Sequence, residues 1–98
     1  MKSFDLTPDA LEDILSIWEF IAEDSVEAAN RVLGKLNEAF QQLVQMPGLG
    51  HRRRDLTKRD LRFWTVYSYL IIYRQSDPLL IVRVLHGKRN VKKLLKER

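Results

Sequence analysis

The chain has 98 residues, of which 45% are hydrophobic and 31% charged, and a formal net charge of +4. This is a globular composition with enough length for a single domain, 1–98, around a modest core. Cysteine is absent, which excludes disulfides, thiolate nucleophiles and thiolate metal sites. No apolar run approaches the roughly 20 residues of a membrane span, and the opening MKSFDLTPDALED lacks the apolar stretch of a secretory signal, so a cytoplasmic protein is expected.

Charge is distributed unevenly. Residues 1–46 hold three basic residues against nine acidic ones, and residues 47–98 hold fourteen against four, giving net charges of −6 and +10. The second half can bind nucleic acid or an acidic protein segment, and the first half repels phosphate.

In chain order, SFDL alternates like a short strand, with Phe4 and Leu6 on one side. TPDALEDILSIWEFIAEDS then carries the signals of a helix start. Thr7 can cap, Pro8 suits the first helical position, and Asp9, Glu12 and Asp13 favour the positive end of the dipole. Leu11, Ile14, Leu15, Trp18, Ile21 and Ala22 form its apolar stripe. That places Glu12, Asp13, Glu19 and Glu23 on the solvent side. Asp24 and Glu27 resemble a capping box opening a second helix, with Ala29, Val32, Leu33, Leu36, Phe40 and Leu43 as its stripe. That helix ends at MPGLG, and the short link predicts an antiparallel helical hairpin.

HRRRDLTKRD has no periodicity and reads as a loop. The β-branched and aromatic run after it predicts strands near 61–66, 69–75 and 79–86. Tyr67-Ser68 marks the first turn, although neither residue favours positive φ, and Ser76-Asp77-Pro78 marks the second. KRNVKKLLKER can close the chain as a short helix with Val91, Leu94 and Leu95 on one face. The fold class is α+β, with an N-terminal strand and a helical hairpin packed on an antiparallel sheet. The sheet's second face is expected to be partly open and functional.

By strand parity Arg62 alternates with Trp64 and Val66, Arg74 with Ile72 and Leu70, and Arg83 with Ile81 and Leu85. On a shared face the three arginines form a patch for carboxylates or phosphates; at strand ends they snorkel into water. His86 has the chemistry of a general acid or base, or of a strand-end histidine bonded to backbone. His51 reads as solvated, and two histidines so far apart give no zinc signature. HRRR at 51–54 is either a solvated loop or, with its entrance stiffened by Pro47 and two glycines, a specific binding element.

FDLTPDALEDILSIWEFIAEDS, MPGLGHRRRDL, LRFWTVYSYLIIYR and IVRVLHGKRNVKKLL, in this order, resemble the ParE branch of the ParE/RelE superfamily of type II toxin–antitoxin toxins. The resemblance spans nearly the whole chain. It implies the helical hairpin on a sheet, growth arrest, a role in plasmid stabilisation, and a ParD-like antitoxin. The antitoxin's acidic, amphipathic C-terminal segment would wrap the toxin, and its N-terminal part would contact operator DNA. ParE-type toxins are known as DNA gyrase inhibitors, and RelE-type toxins as ribosome-dependent mRNA endonucleases.

RelE-type relatives commonly combine sheet cations with a C-terminal tyrosine or His-Tyr pair. Here no tyrosine follows Tyr73, so the resemblance favours a gyrase inhibitor with no catalytic residues, cofactor or metal. The nuclease alternative would use Arg62, Arg74, Arg83, His86, Lys88 and Arg89. A non-toxic antitoxin binder is a third possibility. Target binding is assigned to Arg52, Arg53, Arg54, His86, Lys88 and Arg89, and antitoxin binding to Arg62, Trp64, Tyr67, Arg74 and Arg83.

Overall fold

A computed structural model describes residues 3–96. Strand β1 (Phe4–Leu6) leads into helices α1 (Pro8–Ala22) and α2 (Val26–Gln45). Strands β2 (Arg62–Val66), β3 (Tyr69–Arg74) and β4 (Leu79–His86) follow, and helix α3 (Val91–Lys96) closes the described chain. The sheet order is β1-β4-β3-β2, with β1 parallel to β4 and the other pairings antiparallel. The expected fold is present. Among the described residues no helix is long and apolar enough to cross a membrane.

Thr7 begins α1 as expected. Its hydroxyl accepts a bond from Ala10 N at 3.0 Å and donates one to Val82 O at 2.7 Å, and its own N–H donates to Ile81 O at 3.0 Å. These bonds attach the start of the helix to β4 just where β1 stops pairing. Beyond that point the edge of β4 has no neighbouring strand, and a side chain replaces one. The Asp13 carboxylate accepts from Val84 N at 3.0 Å and from Arg83 Nε and Nη2 at 2.8 and 2.9 Å.

Two attachments about one and two-thirds turns apart set the rotational phase of α1. Ala10, Asp13, Ile14 and Ile17 face the sheet, at i, i+3, i+4 and i+7. The apolar stripe drawn from sequence is therefore rotated: Ile14 is buried, but Leu11 and Leu15 are 50% and 54% exposed. Asp13 likewise turns inward, with 9% of its side chain exposed, not toward solvent. A count of apolar residues could not include a carboxylate on the inward face.

The second helix follows its expected stripe more closely. Ala29, Leu36, Phe40 and Leu43 are buried, joined by Ala39 and Val44, while Leu33 is 40% exposed. Its cap is Ser25, whose Oγ accepts from Ala28 N at 3.1 Å, not Asp24. Trp18 Nε1 donates to Asn30 Oδ1 at 2.9 Å, tying the two helices together.

Both faces of the sheet carry a buried cluster. The hairpin side buries Phe40, Leu43, Ile71, Tyr73, Ile81 and Val84 among others. The opposite side buries Leu61, Phe63, Ile72, Val82 and Leu85 beneath Val91 and Leu95 of α3, with Leu56 of the 51–60 loop packed alongside. The second face is less open than expected, because the short terminal helix and the loop lie over its middle; Thr65 and Arg74 on that face stay exposed.

Parity also breaks in β4. The β3–β4 register shifts between Ile72, opposite Arg83, and Tyr73, opposite Ile81. Val82 is the extra residue of a bulge. Ile81 and Val84 consequently share the hairpin side, and Val82 and Leu85 the other.

The Pro47–Gly50 turn is fastened to the sheet by the fully buried Tyr73. Its hydroxyl accepts from Gly50 N at 2.8 Å and donates to Pro47 O at 2.7 Å. Burial pushes the Tyr73 phenol above its usual range, against smaller opposing effects of the Gly50 bond and the Arg62 charge. A Cβ on Gly50 would sit 2.7 Å from that hydroxyl and 2.9 Å from Phe63 O, so only glycine fits.

Two stability measurements follow. Asp13→Ala strands Arg83 and Val84 N–H at a largely buried site and should cost about 2–4 kcal/mol, lowering the melting temperature by about 10 °C or more. The neighbouring Glu12→Ala should stay within about 0.5 kcal/mol of the parent; equal losses would refute a phase-setting role for Asp13. Tyr67, which closes the β2–β3 turn, has φ 55° and is 61% exposed. An exposed aromatic gains little from packing there while bearing the cost of a left-handed backbone, so Tyr67→Asn should stabilise the protein by about 0.5–1 kcal/mol in denaturant unfolding.

Candidate functional site

A cleft of about 910 Å³ lies between α1, the C-terminal end of β4 and the segment leading into α3. Asp9, Glu12 and Phe20 line its α1 side, Tyr69 and His86 its sheet side, and Arg89 and Leu94 the remainder. Its floor is the Asp13–Arg83 pair, whose side chains are only 9% and 15% exposed. The bonds from Asp13 hold Arg83 firmly in its charged form, and the charges of Asp13, Asp9 and Glu12 add to the effect. The cleft thus has an acidic wall, a basic wall and a neutralised floor.

His86 sits at the sheet end of this cleft. Its Nδ1 accepts from Lys88 N at 3.1 Å, so in the neutral ring the proton is on Nε2. Tyr69 is its cross-strand partner, and the two rings meet edge to face with centroids 5.5 Å apart. A tyrosine therefore stands beside His86 although none follows Tyr73 in the chain. Reading along the sequence missed it because the hydroxyl comes from the preceding strand.

The three strand arginines do not form one patch. Arg62 shares the hairpin side with its partner Tyr73, and donates to Gly50 O at 2.7 Å and Gln75 Oε1 at 2.8 Å. Arg74 belongs by parity to the other side and is exposed at the end of β3. Arg83 is committed to Asp13. The bulge in β4 and these internal partners separate them.

The two basic stretches also stand apart. His86 and Arg89 line the α1 cleft, whereas Arg54 lines a second groove, between the 51–60 loop and α3. His51 is bridged to Phe63 at the outer edge of β2, its N–H donating to Phe63 O at 3.0 Å and its carbonyl accepting from Phe63 N at 2.8 Å. Arg52 pairs with Asp60, and Arg53 reaches Asp55 with Nε at 3.0 Å and Nη2 at 2.8 Å. The side chains of Arg54, Lys88 and Arg89 have no ion-pair partner among the described residues. Trp64 is half-buried against the hairpin-side core, and Tyr67 projects into solvent.

Sequence reasoning missed Asp13, Tyr69 and Leu94 as cleft residues. It also missed the apolar surface on the helices, where Leu11, Leu15, Phe20, Val26 and Leu33 are each at least 40% exposed. The available signal was excess: α1 has more large apolar residues than one face can bury.

Residues 4–91 match the family described as "ParE toxin of type II toxin-antitoxin system, parDE". Two relatives come from Caulobacter vibrioides. "Toxin ParE3" is 28% identical over 81 residues, covering 81% of this chain and 80% of the relative. "Toxin RelE3" is 26% identical over 88 residues, covering 89% and 96%. A solved structure titled "Chromosomal ParDE TA system from P. aeruginosa" superposes with a TM-score of 0.72 at 20% identity, covering 88% of this chain and 96% of that one, a likeness of fold.

Proposed function

Because the chain belongs to the ParE toxin family of type II toxin–antitoxin systems, we propose that it arrests bacterial growth by binding DNA gyrase, without cutting RNA, and that a ParD-like antitoxin neutralises it in the cytoplasm. The observation that carries this reading is the state of Arg83. A ribonuclease on this fold needs free cations around the scissile phosphate to stabilise developing negative charge. Here the cation at the centre of the cleft is neutralised by Asp13, and Arg62 and Arg74 lie outside the cleft. What remains at its rim, His86, Arg89 and the nearby Lys88, suits recognition of an acidic protein surface.

The antitoxin contact follows from which assigned residues are available. Tyr67 and Arg74 offer exposed side chains at the two ends of β3, while Arg62 and Arg83 already have partners within the chain. Exposed Leu11, Leu15 and Leu33 give the apolar side of an amphipathic antitoxin segment a surface to cover. Its acidic side is steered by the +10 half of the chain.

A second reading, a ribosome-dependent mRNA endonuclease, is favoured by one observation: a tyrosine, Tyr69, stacks edge to face on His86 within the cleft.

A gyrase supercoiling and cleavage assay with the purified chain tests the first reading. Inhibition that is reversed by the antitoxin is expected. Lys88→Ala and Arg89→Ala should weaken inhibition about thirty-fold or more, as for loss of a charged contact worth about 2–5 kcal/mol, with unchanged melting curves. Unaffected gyrase together with codon-positioned mRNA cuts in primer extension, lost in His86→Ala, would establish the nuclease instead.

A further inference from the structure

We propose that the groove between the 51–60 loop and α3 binds the phosphate backbone of duplex DNA without reading its sequence. This groove, about 450 Å³ in volume, lies apart from the α1 cleft, and among the described residues Arg54, Lys58, Arg59, Lys92 and Lys96 line it together with one carboxylate, Asp55. That carboxylate is already engaged. Arg53 donates to both its oxygens, and its carboxyl group is held below the usual range first by those bonds and further by the charges of Arg53 and Lys92. None of the five lining cations has an ion-pair partner among the described residues. Among the described residues the groove thus concentrates positive charge that no salt bridge engages.

Its lining favours one class of polyanion. An amphipathic acidic peptide needs well-exposed apolar anchors, but Leu95 is only 3% exposed and Leu56 is half-buried against the core beneath. A single strand is held by bases stacked on aromatic rings, and no aromatic residue lines the groove. Duplex DNA asks for neither. It presents about one charge per 1.7 Å of helix axis, and cations that meet its phosphates release condensed counterions.

The backbone that carries these cations is also held in place. Leu56 N and Thr57 N both donate to Arg53 O, Arg59 N donates to Thr57 Oγ1 at 3.1 Å, and Arg52 pairs with Asp60 across the loop. Buried Val91 and Leu95 seat α3 opposite. The helical face repels the same ligand, because residues 8–45 carry eight carboxylates against two cations. DNA can therefore approach productively from one side.

Fluorescence anisotropy of the full chain with a labelled, mixed-sequence duplex of about 20 base pairs, over a potassium chloride series, reads this directly. The slope of log affinity against log salt should fall between about −2.7 and −4.5 if three to five phosphates are neutralised, and should not change with duplex sequence. Lys58→Gln/Lys92→Gln should flatten it by about 1.8 with an unaltered melting curve. Arg31→Gln/Lys35→Gln on α2 removes the same charge elsewhere and should leave the slope alone. Equal effects from the two pairs would reduce the binding to net charge and overturn the site. So would absence of binding, or displacement of the duplex by poly-glutamate at equal charge concentration. None of these outcomes bears on gyrase inhibition, which is measured separately.

Discussion

The Asp13 carboxylate is the point on which this structure turns. One side chain receives three donors, two from Arg83 and one from the backbone of Val84. β1 is only three residues long, so most of the outer edge of β4 would otherwise lack a partner, and an unpaired buried N–H costs as much as a lost hydrogen bond. Asp13 meets that need from a helix. In doing so it holds α1 at one angle of rotation, with Ala10, Ile14 and Ile17 facing the sheet.

Two features of the surface follow from that angle. Large apolar residues that cannot all face inward are displaced outward, leaving Leu11 and Leu15 half exposed. Arg83, which by composition is one more cation in a basic half, is withdrawn from the electrostatic surface and becomes the floor of a cleft. Charge counted along a chain and charge presented to a partner are different quantities, and an internal salt bridge between the two halves is what separates them here. The same holds for Arg62, whose guanidinium is occupied by Gly50 O and Gln75. Available cations among the described residues include Arg89 at the rim of the α1 cleft, Arg74 at the end of β3 and the cluster in the groove beside α3.

The Tyr73 hydroxyl plays a parallel part at the other end of the molecule. By bonding both Pro47 O and Gly50 N it fixes how the chain leaves α2 and enters the basic loop. The position of that loop over the second face of the sheet, with Leu56 half-buried against the core, converts a charge run into a defined wall. A hydrogen-bonded phenol in a dry site is a rigid connection, because breaking it would leave buried polar groups unpaired.

Much of the architecture was legible in the chain itself. Thr7-Pro8, the period of residues 29–43, the MPGLG stop, the β-branched strands, the Ser76-Asp77-Pro78 turn and the apolar side of KRNVKKLL each encode their element through short-range sterics and hydrogen bonding, which are local properties. The motifs that resemble ParE toxins were equally legible. What only the tertiary structure decided depends on contacts between distant residues. Asp13 faces inward because of Arg83, 70 positions away. The β4 bulge reassigns faces that strict alternation had paired. Tyr69 reaches His86 only because their strands are in register. Periodicity can tell which residues are apolar enough to be buried. It cannot tell which polar residue will be buried with them, because that depends on a partner the local pattern does not contain.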